Sequence, residues 1–203
     1  MDRLHDRLVF TATLWAIKPN GSGMRPLEPE VQGQRDVAGS FTAHATRLAF
    51  TRQVSQSNPA GVGEPTAIFE LASSGGPASE LLADAAEPAF SPDGHSLAFS
   101  STRDHNGSLS YGDSVSRASE LYVARTDGTQ PHRLTFTRDI NEDAPSWSPT
   151  GHVIAYQRGE VTDNAQATGA WAIPQASGRR RVIRADPKLD TWYANPAWRP
   201  TPR

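Results

Sequence analysis

One phrase occurs again and again along this chain, and it limits the fold more than any single residue does. "PAFSPDGHSLAFSSTR" (88–103) returns as "PSWSPTGHVIAYQR" (145–158), in weaker form as "GSFTAHATRLAFTR" (39–52), and starts once more as "PAWRP" (196–200). Aligned on its aromatic residue (Phe41, Phe90, Trp147 or Trp198), the phrase recurs at intervals of 49, 57 and 51 residues. Such a period marks a repeat architecture, in which each unit buries its faces against its neighbours.

Each full period carries four short β-forming runs. In the third unit they are "PAFS", "SLAFS", "ELYVAR" and "HRLTF"; in the fourth, "PSWS", "VIAYQ", "GAWAIP" and "RRVIR". Their connectors, "SPDG", "SPTG", "KPNGSG", "RTDGTQ" and "PQASGR", supply the fixed φ of Pro and the permissive Gly that tight turns require. The stretch with the best helical pattern, "ASELLADAAE", reads as an outer strand plus a loop. Four short antiparallel strands per period form a β-propeller blade. An apolar content of 36%, a mean hydropathy of −0.55, and 16 Gly with 16 Pro agree with many turns and few helices.

Counting strands from the N-terminus, "RLVFTA", "TLWAI" and "GMRPL" form a first blade without its innermost strand, while "NPAWRPTPR" is an innermost strand without a blade. The two deficits match. The expectation is an all-β propeller of four four-stranded antiparallel blades, the C-terminal strand completing the first and leaving no exposed edge. Blade 1 spans 7–30 plus 195–200, blade 2 39–83, blade 3 88–136 and blade 4 145–185, in a single domain. A closed monomer is favoured because it needs no partner; a head-to-tail dimer of eight blades satisfies the same count.

"PSWSPTGHVIAYQR", "ELYVARTDGTQPHRLTF" and "LWAIKPNGSGMRPL" resemble the WD-like propeller repeat of the TolB family. That repeat joins a Pro-x-Trp-Ser-Pro-Asp-Gly phrase to "IAF" and "LYV" strands, an Asp-Gly turn and a closing "RLT". The likeness runs through nearly the whole chain and weakens in unit two, where "SFTAHATR" lacks the Trp, the Pro and the Asp-Gly. The resemblance implies a non-enzymatic scaffold that binds a protein or peptide partner.

The position of a site follows from parity. Turns after the first and third strands of a blade fall on one face and are short here. Turns after the second strand and the links between blades fall on the other face and are long: 53–66, 101–119, 158–168, 83–87, 136–144 and 185–195. Long loops on a rigid scaffold are where binding concentrates. In loop 101–119, Arg103, Asp104 and His105 are candidates for a ligand or partner, as are Trp192 and Tyr193 in the last link. The links lead into the innermost strands, so Asp36 or Val37, Glu87, Asp143 and Asn195 should ring the mouth of the central channel. With Asp139 of "DINED", these oxygen donors suit a hard cation such as calcium, giving a second reading: a metal or small-molecule site, with or without enzymatic chemistry. A plainer reading has these carboxylates cap turns or pair with Arg52, Arg103 and Arg158.

His44, His95 and His152 follow the first hairpin turns and should lie exposed on the short-turn face. No Gly-x-Ser-x-Gly, His-Glu-x-x-His or phosphate-binding glycine loop is present, so an enzyme is the weaker expectation. There is no cysteine, which removes thiolate chemistry and disulfides. A net charge of −2 offers no footprint for nucleic acid, and Arg179-Arg180-Arg181 is read as a solvated spot. The N-terminus has no sustained apolar run for a signal or membrane span; the chain is expected in the cytoplasm, or in the periplasm or outside if a signal was removed.

Overall fold

The computed structural model describes residues 13–54, 66–111, 114–162, 165–174, 181–185 and 196–198. These form sixteen strands and no helix. They are β1 (Trp15–Ala16), β2 (Arg25–Pro26), β3 (Gln34–Phe41), β4 (Arg47–Val54), β5 (Thr66–Ala72), β6 (Ser79–Ala83), β7 (Ala86–Phe90), β8 (Ser96–Ser101), β9 (Ser108–Tyr111), β10 (Ser114–Arg117), β11 (Glu120–Arg125), β12 (His132–Arg133), β13 (Asn141–Trp147), β14 (Val153–Thr162), β15 (Ala165–Pro174) and β16 (Arg181–Ala185).

Three four-stranded antiparallel sheets result: β3-β4-β5-β6, β7-β8-β11-β12 and β13-β14-β15-β16. Preceding them, β1 and β2 form a two-stranded ladder, extended by the Leu27 N–H donating to the Leu14 carbonyl at 2.9 Å. "ASELLADAAE" supplies strand β6. The region 158–168, expected as a loop, is instead largely strand: β14 and β15 run on as ten-residue partners, paired from Val153↔Pro174 to Thr162↔Ala165. The first strands also start before the repeated phrase, at Gln34, Ala86 and Asn141.

The sheets stack through alternating residues. Leu48 and Phe50 of β4 face Leu27 and Leu71, whereas Ala49, with Ile68, meets Phe90, Leu97, Phe99 and Tyr122 of the next sheet. One sheet further, Ala98, Leu121 and Val123 meet Trp147, Ile154, Tyr156 and Ile173. A strand buried on both faces reads as a continuous apolar run, which explains "SLAFS" and "VIAYQ".

The repeat's aromatic position joins neighbouring sheets. The Trp147 indole N–H donates to the Ala89 carbonyl at 2.9 Å, and Trp198 does the same to the Ser146 carbonyl at 2.9 Å. Ala89 and Ser146 each immediately precede their own sheet's aromatic, so these are one contact made twice. Phe90 and Trp147 are accordingly 8% and 7% exposed, but Phe41 is 54% exposed. Its preceding sheet consists, among the described residues, of β1 and β2 alone, so Phe41 lacks the cover that its counterparts receive.

Even the degenerate phrase folds into the repeated turn. In "SPDG" the Gly94 N–H reaches the Ser91 carbonyl at 3.0 Å, Gly94 has φ 74°, and the Ser96 N–H reaches Ser91 Oγ. In "TAHATR" Ala45 adopts φ 50°, its N–H reaches the Thr42 carbonyl at 2.7 Å, and Thr42 Oγ1 receives the Arg47 N–H. The Thr hydroxyl replaces the Ser hydroxyl, and the turn's own hydrogen bonds hold the exposed Ala45 left-handed.

Candidate functional site

The first strands β3, β7 and β13 lie side by side, β7 in the middle, and each carries a bulge at the same point: between Val37 and Ser40, Ala86 and Ala89, and Asp143 and Ser146. The bulged residues Glu87 and Ala144 take φ 56° and 50°. Their N–H groups, freed from the ladder, turn to the previous sheet, where Glu87 donates to Thr51 Oγ1 and Ala144 to Glu87 Oε2, both at 2.7 Å. The Glu87 carboxylate also accepts from Ser100 Oγ at 3.1 Å.

Two chambers meet at Glu87. One, of about 240 Å³, lies toward the long loops and is lined by Val37, Thr51, Gln53, Thr66, Ala86, Glu87, Ser100, Ser101, Thr102, Ser119 and Asp143. The other, of about 570 Å³, extends past the bulges toward the short turns, between Glu87, Pro88, Phe90, Pro92, Pro145, Trp147 and Pro196. The first wall is rich in hydroxyls and the second in proline and aromatic rings. Asp143 is half-buried and accepts a hydrogen bond from Ser119 Oγ; burial, aided by the neighbouring Glu87 charge, pushes its carboxyl up to about 7.

Of the residues expected at the channel mouth, Glu87 and Asp143 come together on the wall of the smaller chamber. Asp36 does not: it faces Arg52, whose Nε and guanidinium NH2 donate to its two oxygens at 2.8 and 2.9 Å, with Glu28 on the same guanidinium. Val37, the alternative, lines the smaller chamber. Asp139 sits beneath the blade-3 insertion, its Oδ1 receiving the Ser108 N–H at 2.9 Å. A Cβ at Gly107 would lie 2.6 Å from the Asp139 nitrogen, so that crossing admits only glycine. Asn195, Trp192 and Tyr193 lie outside the described residues. Among the described residues no three His, Asp or Glu side chains are grouped so as to hold a metal ion.

The long-loop candidates are mostly engaged internally. Arg103 donates to Ser101 Oγ and to the Ala83 carbonyl, each at 2.9 Å, and lies 5.2 and 5.3 Å from the Phe99 and Tyr122 rings. Asp104 pairs with Arg133, and His105 is exposed at φ 51°. His44, His95 and His152 are exposed as well.

Sequence reasoning missed a second polar centre, at the root of the insertion. Glu120 and Glu142 are both 0% exposed. Arg133 bonds Glu120, Asn106 Nδ2 donates to Glu120 Oε1 at 3.1 Å, and Arg158 lies 3.6 Å from Glu142. Burial, with Glu120 alongside, pushes the Glu142 carboxyl up to about 7. The recurrence of Arg near second-strand ends was the available signal; Glu142, rather than Asp143, stands opposite Arg158 in the ladder.

Successive four-stranded antiparallel sheets packed face to face, with their first strands side by side, are the arrangement of β-propeller blades. The solved structures that resemble the chain are of that class. A TolB protein from Agrobacterium tumefaciens matches with a TM-score of 0.63 at 14% identity over 85% of this chain and 56% of its own. A nidogen/laminin complex matches with a TM-score of 0.59 at 12% identity over 88% and 60%, and an oligogalacturonate lyase in complex with manganese with 0.58 at 12% over 87% and 48%. The chain thus spans roughly half the length of these structures. No family model and no curated protein matches its sequence.

Proposed function

We propose that the chain is a non-enzymatic propeller scaffold that binds a protein or peptide partner through its long-loop face. The observation carrying this reading is the construction of the blade-3 insertion. It folds into the hairpin β9-β10, with Leu109 and Ala118 buried beneath it. Its root is tied down by Asn106, by Asp139, and by Ser119, whose N–H donates to Asn141 Oδ1 at 3.1 Å. A surface formed in advance spares a partner the cost of ordering it. The resemblance of the repeat to the TolB family supports the same reading.

In this reading the ring has four blades, and the segment around Trp198 completes the first, following the indole contact already made by Trp147. Solution mass tests the assembly: near 22.0 kDa for a ring closed within one chain, twice that for an eight-bladed dimer. Replacing residues 108–117 with a short Gly-Ser link should abolish capture of a partner while leaving the β-sheet circular dichroism intact. Undiminished capture would exclude this face.

The Glu87–Asp143 pair favours a second reading, a cation-binding channel mouth. Its all-oxygen surroundings suit a hard cation such as calcium, although two carboxylates supply only part of the six to eight oxygens that calcium takes. Glu87, Asp143 and the nearby hydroxyls would hold it. Calcium should then raise the melting temperature of the chain but not of Asp143→Asn; equal melting with and without calcium removes the metal.

A further inference from the structure

We infer that the channel takes an organic cation, an ammonium or guanidinium head on an apolar body, with the head at Glu87 and Asp143 and the body in the proline-lined chamber. The inference deepens the reading of the channel mouth as a cation site and adds to it what an inorganic ion would leave unused. Three observations converge. Glu87 borders both chambers, so a ligand extending through either one meets its carboxylate. The described residues lining the two chambers include these two acids and no Lys, Arg or His, so the chamber lining offers the acids no cationic partner.

The two ends also differ in kind. Around the acids lie Thr51, Ser100 and Ser119, whose hydroxyls can accept from an ammonium. Beyond Glu87, toward the short turns, the wall changes to Pro88, Pro92, Pro145, Pro196, Phe90 and Trp147. A chamber of about 570 Å³ falls in the range of small-molecule pockets, and its wall mixes proline and aromatic carbon with the polar Ser40, Ser146 and Glu87. A bare metal ion would use only the acidic waist. An amine with a hydrocarbon or aromatic body uses both parts, its body lying against the proline rings and the small portions of Phe90 and Trp147 that reach the wall.

The head could come from a free amine or from a lysine or arginine side chain of a bound partner. The test is calorimetric titration of the full chain with phenethylammonium chloride, with neutral 2-phenylethanol, with N-acetyl-lysine methylamide and with calcium chloride. Phenethylammonium should bind at least about tenfold more tightly than 2-phenylethanol, as expected for a hydrogen bond to a charged group. Glu87→Gln, which retains an acceptor for the Ala144 N–H, should weaken it by about tenfold or more with little change in melting temperature, and Asp143→Asn should act in the same direction. Tighter binding of the lysine derivative than of phenethylammonium assigns the head to a partner's side chain; the reverse order assigns it to a free amine. Equal binding of phenethylammonium and 2-phenylethanol, or affinity unchanged in both variants, overturns the inference. Calcium binding without binding of either amine overturns it while leaving the cation reading in place; silence from amines and calcium alike removes both.

Discussion

The same ion pair is built twice in this molecule, with different results. Asp36 lies opposite Arg52 between β3 and β4, and Glu142 lies opposite Arg158 between β13 and β14, at matching places in the repeat. Arg52 grips Asp36 with two bonds under 3 Å and lies 4.6 Å from the Phe69 ring; Arg158 stands 3.6 Å from Glu142 and 4.9 Å from the Trp171 ring. Hydrogen bonding to Asp36 holds the Arg52 guanidinium above its usual pKa, whereas burial dominates at Glu142 and raises the acid. The surroundings make the difference. Both sites hold a second carboxyl, but Glu28 shares the Arg52 guanidinium with Asp36, whereas Glu120 beside Glu142 is fully buried and is bonded by a different cation, Arg133. A repeat therefore reproduces a pair of residues without reproducing its charge state.

The largest expected effect that would test this comparison is Arg52→Met. Leaving Asp36 and Glu28 without their cation should cost about 3–5 kcal/mol in urea denaturation at pH 7. Arg158→Met should cost less, about 1–2 kcal/mol, because Glu142 can keep its proton near that pH. Losses of equal size would break the distinction.

Next in size is the pH dependence of the intact chain. Glu142 moves from an ordinary value of 4.5 to about 7 on folding, and Asp143 from 3.8 to about 7. Between those values the folded state holds protons that the unfolded chain has released. Their contribution is fully present below the unfolded values and is lost as pH rises through about 7. Each of these shifts alone should lower stability by about 2–3 kcal/mol between pH 5 and pH 8. A flat profile over this range would mean that both acids are ionised in the fold.

Smallest is Glu142→Gln, a neutral stand-in for the protonated acid. It should match the native chain within about 1 kcal/mol at pH 5, where that acid is already neutral, and exceed it at pH 8. The variant should thus flatten the pH profile, while Asp36→Asn should lower stability without flattening it.

Much of the architecture was legible because it rests on patterns that side-chain chemistry repeats. Apolar runs with turn residues at a steady period give three four-stranded sheets, with "ASELLADAAE" as a strand and Trp147 in a core between sheets. What escaped depends on local geometry. Strand alternation read from the sequence treats Glu87 and Asp143 as equivalents, but the bulge separates them: Asp143 matches Ala86 and precedes the irregularity, while Glu87 matches Ala144 and forms part of it. Two inequivalent positions thereby meet at one point of the channel. Arg103 comes two residues after the repeat position of Arg52 and Arg158, yet its guanidinium returns to the same pair of rings, Phe99 and Tyr122, guided by Ser101 and the Ala83 carbonyl. The buried Glu120–Glu142 pair depends on contact between an insertion and the next sheet, which no single period contains. The extension of β14 and β15 was not read because the polar stretch "GEVTDNAQATG" lacks the apolar run that marks the other buried strands.

The indole contacts of Trp147 and Trp198 bear on how such chains can grow. Each donor finds its acceptor one residue before the aromatic of the preceding unit, so the Trp147 unit carries both a plug for its predecessor and a socket for its successor. A duplicated stretch of about one period, inserted at a boundary, would present the same two fittings and slot in without changes to its flanks. Ring size then becomes a matter of copy number, and propellers of different circumference can share a single joint.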